Sequence, residues 1–235
     1  MSKKKRPTPV PAEPIAGLVD AHTHLASIKE PLSELVARAK AAGVERICTV
    51  GDGLDEAERA LAAAHEHPSV VAACAIHPTR AHELDSAART RLTEMAADPR
   101  CVAIGETGVD AYWITHDPDG TAPLEVQEEA FRFHIQLAVD TGKSLMIHNR
   151  EGDEDMLRIL ADSPRPREVM LHCFSSPVDV AREAIERGYV LSFAGNVTFK
   201  RNDYLREAAA LAPVGQLLIE TDAPYMTPEP FRGAR

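Results

Sequence analysis

The feature that most constrains this chain is an alternation of short, nearly continuous apolar runs with longer amphipathic segments, repeated along most of its length. The apolar runs occupy residues 17–24, 44–50, 69–77, 101–106, 143–148, 168–172, 189–193 and 216–221. Runs without a polar alternate face are what parallel strands covered on both sides require. Between them stand PLSELVARAKAAG, LDEAERALAAAHEHP, PLEVQEEAFRFHIQLAVDTG, DEDMLRILADSP, SPVDVAREAIERG and RNDYLREAAALAP. The first carries Pro31 near its start and Gly43 past its end, the usual asymmetry of helix boundaries. In the third, Val126, Ala130, Phe133 and Leu137 recur at helical spacing and are expected to face the core.

Strand–helix alternation implies a parallel sheet of the α/β class, and eight units predict closure into a (β/α)8 TIM barrel. A doubly wound open sheet is the competing architecture, but no glycine-rich phosphate fingerprint follows the first strand. Residues 17–235 are expected to form one barrel domain, preceded by a disordered basic and proline-rich tail over residues 1–16. The short stretch after the eighth run holds Pro224, Pro228 and Pro230. Those prolines oppose a helix, so the barrel's final helix is expected to be missing from this chain, leaving apolar flanks of the first and eighth strands exposed.

A formal net charge of −10 argues against a broad electrostatic nucleic-acid surface, so any polyanion would need local cations. No apolar run is long enough for a membrane span, and no signal-peptide core follows the basic N-terminus. Cys48, Cys74, Cys101 and Cys173 lie in apolar runs without CxxC spacing, which reads as buried, reduced thiols. A cytoplasmic, monomeric protein is expected.

The chemistry is written at the strand ends. In Asp20-Ala21-His22-Thr23-His24, alternate residues share a face, so Asp20, His22 and His24 point one way. The two imidazoles suit a transition-metal dication, and Asp20 is expected to orient one of them. Four further runs finish at Glu106, His148, His172 and Asp222. Ionisable groups are costly inside a barrel, whereas its strand C-termini are where active sites are built. His65, His67, His82, His116 and His134 fall on helices or loops and are expected at the surface, while Cys173, one residue past His172, is expected in the core.

Taken together, DAHTH (20–24), AIHP (75–78), GETGVD (105–110), QEEAFRFHIQLA (127–138), IHNRE (147–151), HCFSS (172–176) and ETDAPYMTP (220–228) resemble the TatD family of metal-dependent deoxyribonucleases. The resemblance implies two divalent cations (Zn, Mn or Mg). His22, His24, Glu106 and Asp222 would hold one, Glu106, His148 and His172 the other, and Glu106 would bridge. It implies a 3′→5′ DNA exonuclease in which Asp222 doubles as general base, with Glu106 the other catalytic residue. Arg150, Lys200 and His77 are the candidate phosphate contacts, and the loop over residues 111–123, holding Trp113, a candidate substrate lip. The alternatives are metal-dependent ester or amide hydrolysis, for example deacylation of D-aminoacyl-tRNA, and a non-catalytic metal-binding barrel.

Overall fold

The computed structural model describes residues 7, 9–11 and 13–233, so residues 1–6, 8 and 12 of the basic tail, expected to be disordered, lie outside the described residues. Eight parallel strands follow one another in chain order: β1 (Leu18–Thr23), β2 (Val44–Val50), β3 (Val70–Ala73), β4 (Cys101–Asp110), β5 (Ser144–Arg150), β6 (Val169–Leu171), β7 (Val190–Phe193) and β8 (Leu217–Ile219). Helices α1 (Leu32–Ala41), α2 (Leu54–Glu66), α3 (Ser86–Ala97), α4 (Ala111–His116), α5 (Leu124–Thr141), α6 (Asp153–Ala161), α7 (Val178–Glu186) and α8 (Asp203–Leu211) intervene. This is the expected (β/α)8 barrel, nearly closed. Beyond the ladders, the ends of β8 and β1 meet through Asp222 N to His22 O at 3.0 Å and His24 N to Ala223 O at 2.8 Å.

Two helices were not legible from the apolar pattern. One is α3, whose start is capped by Asp85 accepting from Ala88 N, with Leu92, Met95 and Ala96 buried beneath it. The other is the short α4, capped by Asp110. The register of α5 also differs from expectation. Its buried stripe runs through Gln127, Ala130, Phe131, His134, Ile135, Leu137 and Ala138, while Val126 and Phe133 pack only at its margin. The two polar members explain the offset. Gln127 accepts from Asp110 N and donates to the carbonyls of Asp110 and Ala122, and His134 Nδ1 pairs with Thr107 Oγ1 at 2.8 Å. Helix α5 therefore turns its hydrogen-bonding face to the end of β4.

The outer side of the β8–β1 seam is bare: Leu217, Leu218, Ile219 and Val19 are 36–48% exposed. After β8, none of the described residues is helical. No helix among the described residues is long and apolar enough to cross a membrane.

Candidate metal centre

Glu106 lies at an irregularity of the β4–β5 ladder, between Ile104 and Thr107. The glycines beside it make that geometry possible. A side chain at Gly105 would meet Met146 Cβ at 2.5 Å, and one at Gly108 (φ 142°) would meet His148 O at 2.0 Å. The Glu106 carboxylate is buried, and one oxygen, Oε1, pairs with His148 Nδ1 at 2.6 Å and His172 Nε2 at 2.8 Å. The other, Oε2, is buried without a hydrogen bond, 3.4 Å from His22 Nε2 and 3.7 Å from His24 Nε2. Asp222 Oδ1 closes the group, 3.7 Å from His22 Nε2 and 3.5 Å from His24 Nε2. The fold thus gathers His22, His24, Glu106, His148, His172 and Asp222 at one end of the barrel. Donor atoms of His22, His24 and Glu106 lie within 4.8 Å of one another, as do those of His22, His172 and Asp222, and those of His77, Glu106 and His148.

Asp222 (φ 50°) and Cys173 (φ 42°) adopt left-handed backbone just past their strands, which turns both side chains toward the site. Cys173 accordingly lines the cavity instead of the core. Strand β6 ends at Leu171, so the alternation that predicts a thiol on the face opposite His172 no longer applies there. All four cysteines are free.

Outer carboxylates orient the imidazoles, but Asp20 is not one of them. Its carboxylate takes Thr221 N at 2.8 Å and Thr221 Oγ1 at 2.6 Å, joining β1 to β8. The orienting groups are Asp52 on His24 Nδ1 (3.3 Å), Glu220 on His172 Nδ1 (3.1 Å) and Asp110 on His148 Nε2 (3.0 Å). Asp110 and Glu220 stand inside the quoted GETGVD and ETDAPYMTP motifs, and their placement beside strand-end ligands was the available signal. Asp52 follows β2 in Gly51-Asp52-Gly53 and carried no such signal.

Burial opposes charge on His148, yet its hydrogen bonds to Asp110 and Glu106 prevail and lift its pKa to about 9. His172 and His24 are likewise raised against burial, His172 chiefly by Glu106 and Glu220, His24 by Asp222 and Glu106. His22 is held well below its usual value by burial and by the neighbouring His172. Glu106 is held well below the carboxylate range: burial works against this, and His172 and His22 outweigh it. An orphaned carboxylate oxygen facing two imidazole Nε2 atoms, in a nitrogen and oxygen donor set, fits a divalent cation.

The group floors a cavity of about 640 Å³ whose wall includes His77, Arg80, Trp113, Arg150 and Tyr225. Arg80 is tied to Glu83 and Glu56. Arg150 has no ion pair among the described residues; its guanidinium lies 3.7 Å from the centre of the Tyr112 ring. Lys200 is exposed and is not part of the wall, because the chain there turns Phe199 and Asn202 inward. Of the histidines expected at the surface, His134 is fully buried and His67 half-buried, while His65, His82 and His116 are exposed. His134 departs from the expectation because the buried stripe of α5 includes polar residues that pair with the end of β4.

A profile of the family described as TatD related DNase matches residues 19–235. The chain belongs to the TatD family. Among its relatives, an uncharacterized metal-dependent hydrolase of Mycobacterium tuberculosis, named TatD, is 50% identical over 220 residues, covering 92% of this chain and 83% of that protein. A 3′-5′ ssDNA/RNA exonuclease, TatD, of Cronobacter turicensis is 34% identical over 197 residues, covering 83% of this chain and 73% of that protein. The crystal structure of YjjV, a TatD homolog from Escherichia coli, superposes with a TM-score of 0.83 at 26% identity, covering 92% of this chain and 83% of the other.

Proposed function

We propose that this TatD-family protein is a metal-dependent hydrolase that removes nucleotides from the 3′ end of single-stranded DNA, using two divalent cations that share Glu106. The observation that carries the reading is the split role of the Glu106 carboxylate. One oxygen faces His148 and His172, and the other, lacking a hydrogen bond, faces His22 and His24. His22, His24, Glu106 and Asp222 would hold one ion, and Glu106, His148 and His172 the other. Bound there, the cations would acidify water and neutralise charge developing on a phosphodiester.

The protein's own groups supply the rest. Asp222, buried beside both His22 and His24, accepts the proton of the attacking water. His77 serves as a donor and not as a ligand. Its Nδ1 accepts from Thr79 N at 3.2 Å, which leaves the proton on Nε2, directed into the site for a phosphate oxygen. Arg150, free of carboxylates among the described residues, is a fork for a second phosphate oxygen. The free thiols fit a reducing, cytoplasmic setting.

The test is hydrolysis of 3′-labelled single-stranded DNA, RNA, an aryl phosphodiester and a D-aminoacyl ester, each with and without chelator. Chelator-sensitive loss of the 3′ nucleotide from DNA is the expected result. Turnover of the ester alone would replace the nuclease reading with the deacylase one, and no turnover of any substrate would leave a metal-binding barrel without catalysis.

A further inference from the structure

We propose that Trp113, on α4, is a stacking platform for a nucleobase of the substrate, set beside a phosphate clamp formed by Arg150. The proposal rests on the nuclease reading in one respect: a base must accompany the phosphate that Arg150 receives. The geometry of the lip carries it. Helix α4 carries two adjacent aromatic residues beside Arg150, of which Trp113 lines the cavity, and they are used differently. Tyr112 has the Arg150 guanidinium 3.7 Å from its ring centre and the His116 ring stacked at 3.8 Å and 13°. Two groups so close cannot share one face, so both faces of Tyr112 are occupied. Trp113 meets Tyr112 only edge to face, at 5.1 Å and 82°, and has Arg150 at 5.5 Å. It is 39% exposed and lines the same cavity as His148 and Asp222. A large apolar ring, 39% exposed and with a guanidinium near its rim, matches how single-stranded nucleic acid is gripped, bases on aromatic faces and backbone on arginine.

The lip is also fixed to the chemistry. Asp110 receives His148 Nε2 on one carboxylate oxygen (3.0 Å) and caps α4 by accepting Trp113 N on the other (2.8 Å). One buried side chain therefore sets both an imidazole of the centre and the start of the helix bearing the platform. The cation–π contact with Tyr112 orients Arg150 without consuming its N–H donors, as a carboxylate would. Lip and floor are in register before substrate arrives.

Trp113 is the only tryptophan of the chain, so its fluorescence reports on the platform directly. Stopped-flow mixing of the wild-type protein with a short oligothymidylate should quench it before turnover. An abasic deoxyribose-phosphate oligomer of equal length should not. In steady state, Trp113→Ala should raise KM for the oligothymidylate by about 5- to 150-fold, the range of base–aromatic stacking. KM for the abasic oligomer should stay unchanged, and Trp113→Phe should recover most of the loss. Quenching without any turnover would uphold the platform and sink the exonuclease reading. Absence of quenching by the oligothymidylate, or equal KM losses on base-bearing and abasic substrates, would overturn the platform.

Discussion

Along the β4–β5 seam the ladder continues past the centre, pairing Gly108 with His148 and Asp110 with Arg150, and α5 backs it with Gln127 and His134. Along the β8–β1 seam no ladder pairing is present among the described residues; hydrogen bonds in which Asp20 and His22 accept from Thr221 N and Asp222 N, and His24 N donates to Ala223 O, join the strands, and the outer face is bare. Both seams deliver side chains of the candidate metal centre to the same few ångströms. One is stiffened from outside by a helix and from within by buried polar pairs; the other depends on a few contacts at its rim. The difference separates what positions Glu106 and His148, a deep and redundant network, from what positions Asp222, a local turn.

The largest effect is expected where the seams converge. Glu106→Gln keeps the shape but removes the shared charge. It should abolish turnover and lower the affinity for both cations by more than the roughly 10–100-fold typical of losing an orienting partner. Metal analysis of the purified variant checks this, and retention of both ions would remove the link between the seams.

The next effect sharpens the contrast in stability. Gln127→Ala strands the amide and carbonyl of Asp110 and the carbonyl of Ala122, which should cost about 3 kcal/mol and roughly 6–12 °C in Tm. Thr221→Val removes from the other seam an exposed hydroxyl that donates to Asp20 and accepts from Ala223 N, and should cost less, about 1 kcal/mol. Calorimetry on both variants decides, and equal losses would erase the distinction.

Acid should act on the seams with opposite sign. His134, desolvated against β4, has its pKa lowered to about 3, so the unfolded chain binds a proton that the fold refuses. Its contribution is full above the unfolded value and is lost as pH falls from about 6.5 toward 3. Asp20, raised to about 6 by burial against the pull of its Thr221 hydrogen bonds, contributes most when protonated and less as pH rises from about 4 to 6. Hydrogen exchange between pH 4 and 6 should therefore show the β4 amides opening more readily in acid, while the His24 and Asp222 amides become better protected. His134→Gln should remove most of the first trend.

The barrel is legible because eight apolar runs alternate with amphipathic segments and no glycine-rich phosphate fingerprint favours an open sheet, and the candidate centre because ionisable residues stand at the ends of those runs. What escaped were features that hydrophobic periodicity does not register. Asp110 and Gln127 act through hydrogen bonds between distant segments, and His134 occupies a core position as a polar residue. Asp20 shares a face with His22 in the strand pattern, yet the meeting of β1 with β8 hands it to Thr221. Lys200 is near β7 in sequence, yet the 3-10 turn at Gly195–Thr198 carries it out of the cavity wall.

The smallest expected effect is on charge steering. With few cations at the cavity, raising salt should weaken oligonucleotide binding only with a shallow slope, read from KM across ionic strength. A steep slope would point to a broad basic surface that a formal net charge of −10 disfavours.

The most direct test of the shared carboxylate is anomalous diffraction from crystals grown with Mn²⁺. Two peaks flanking Glu106 are expected, one among His22, His24 and Asp222, the other between His148 and His172. A single peak, or two peaks neither of which touches Glu106, would contradict it.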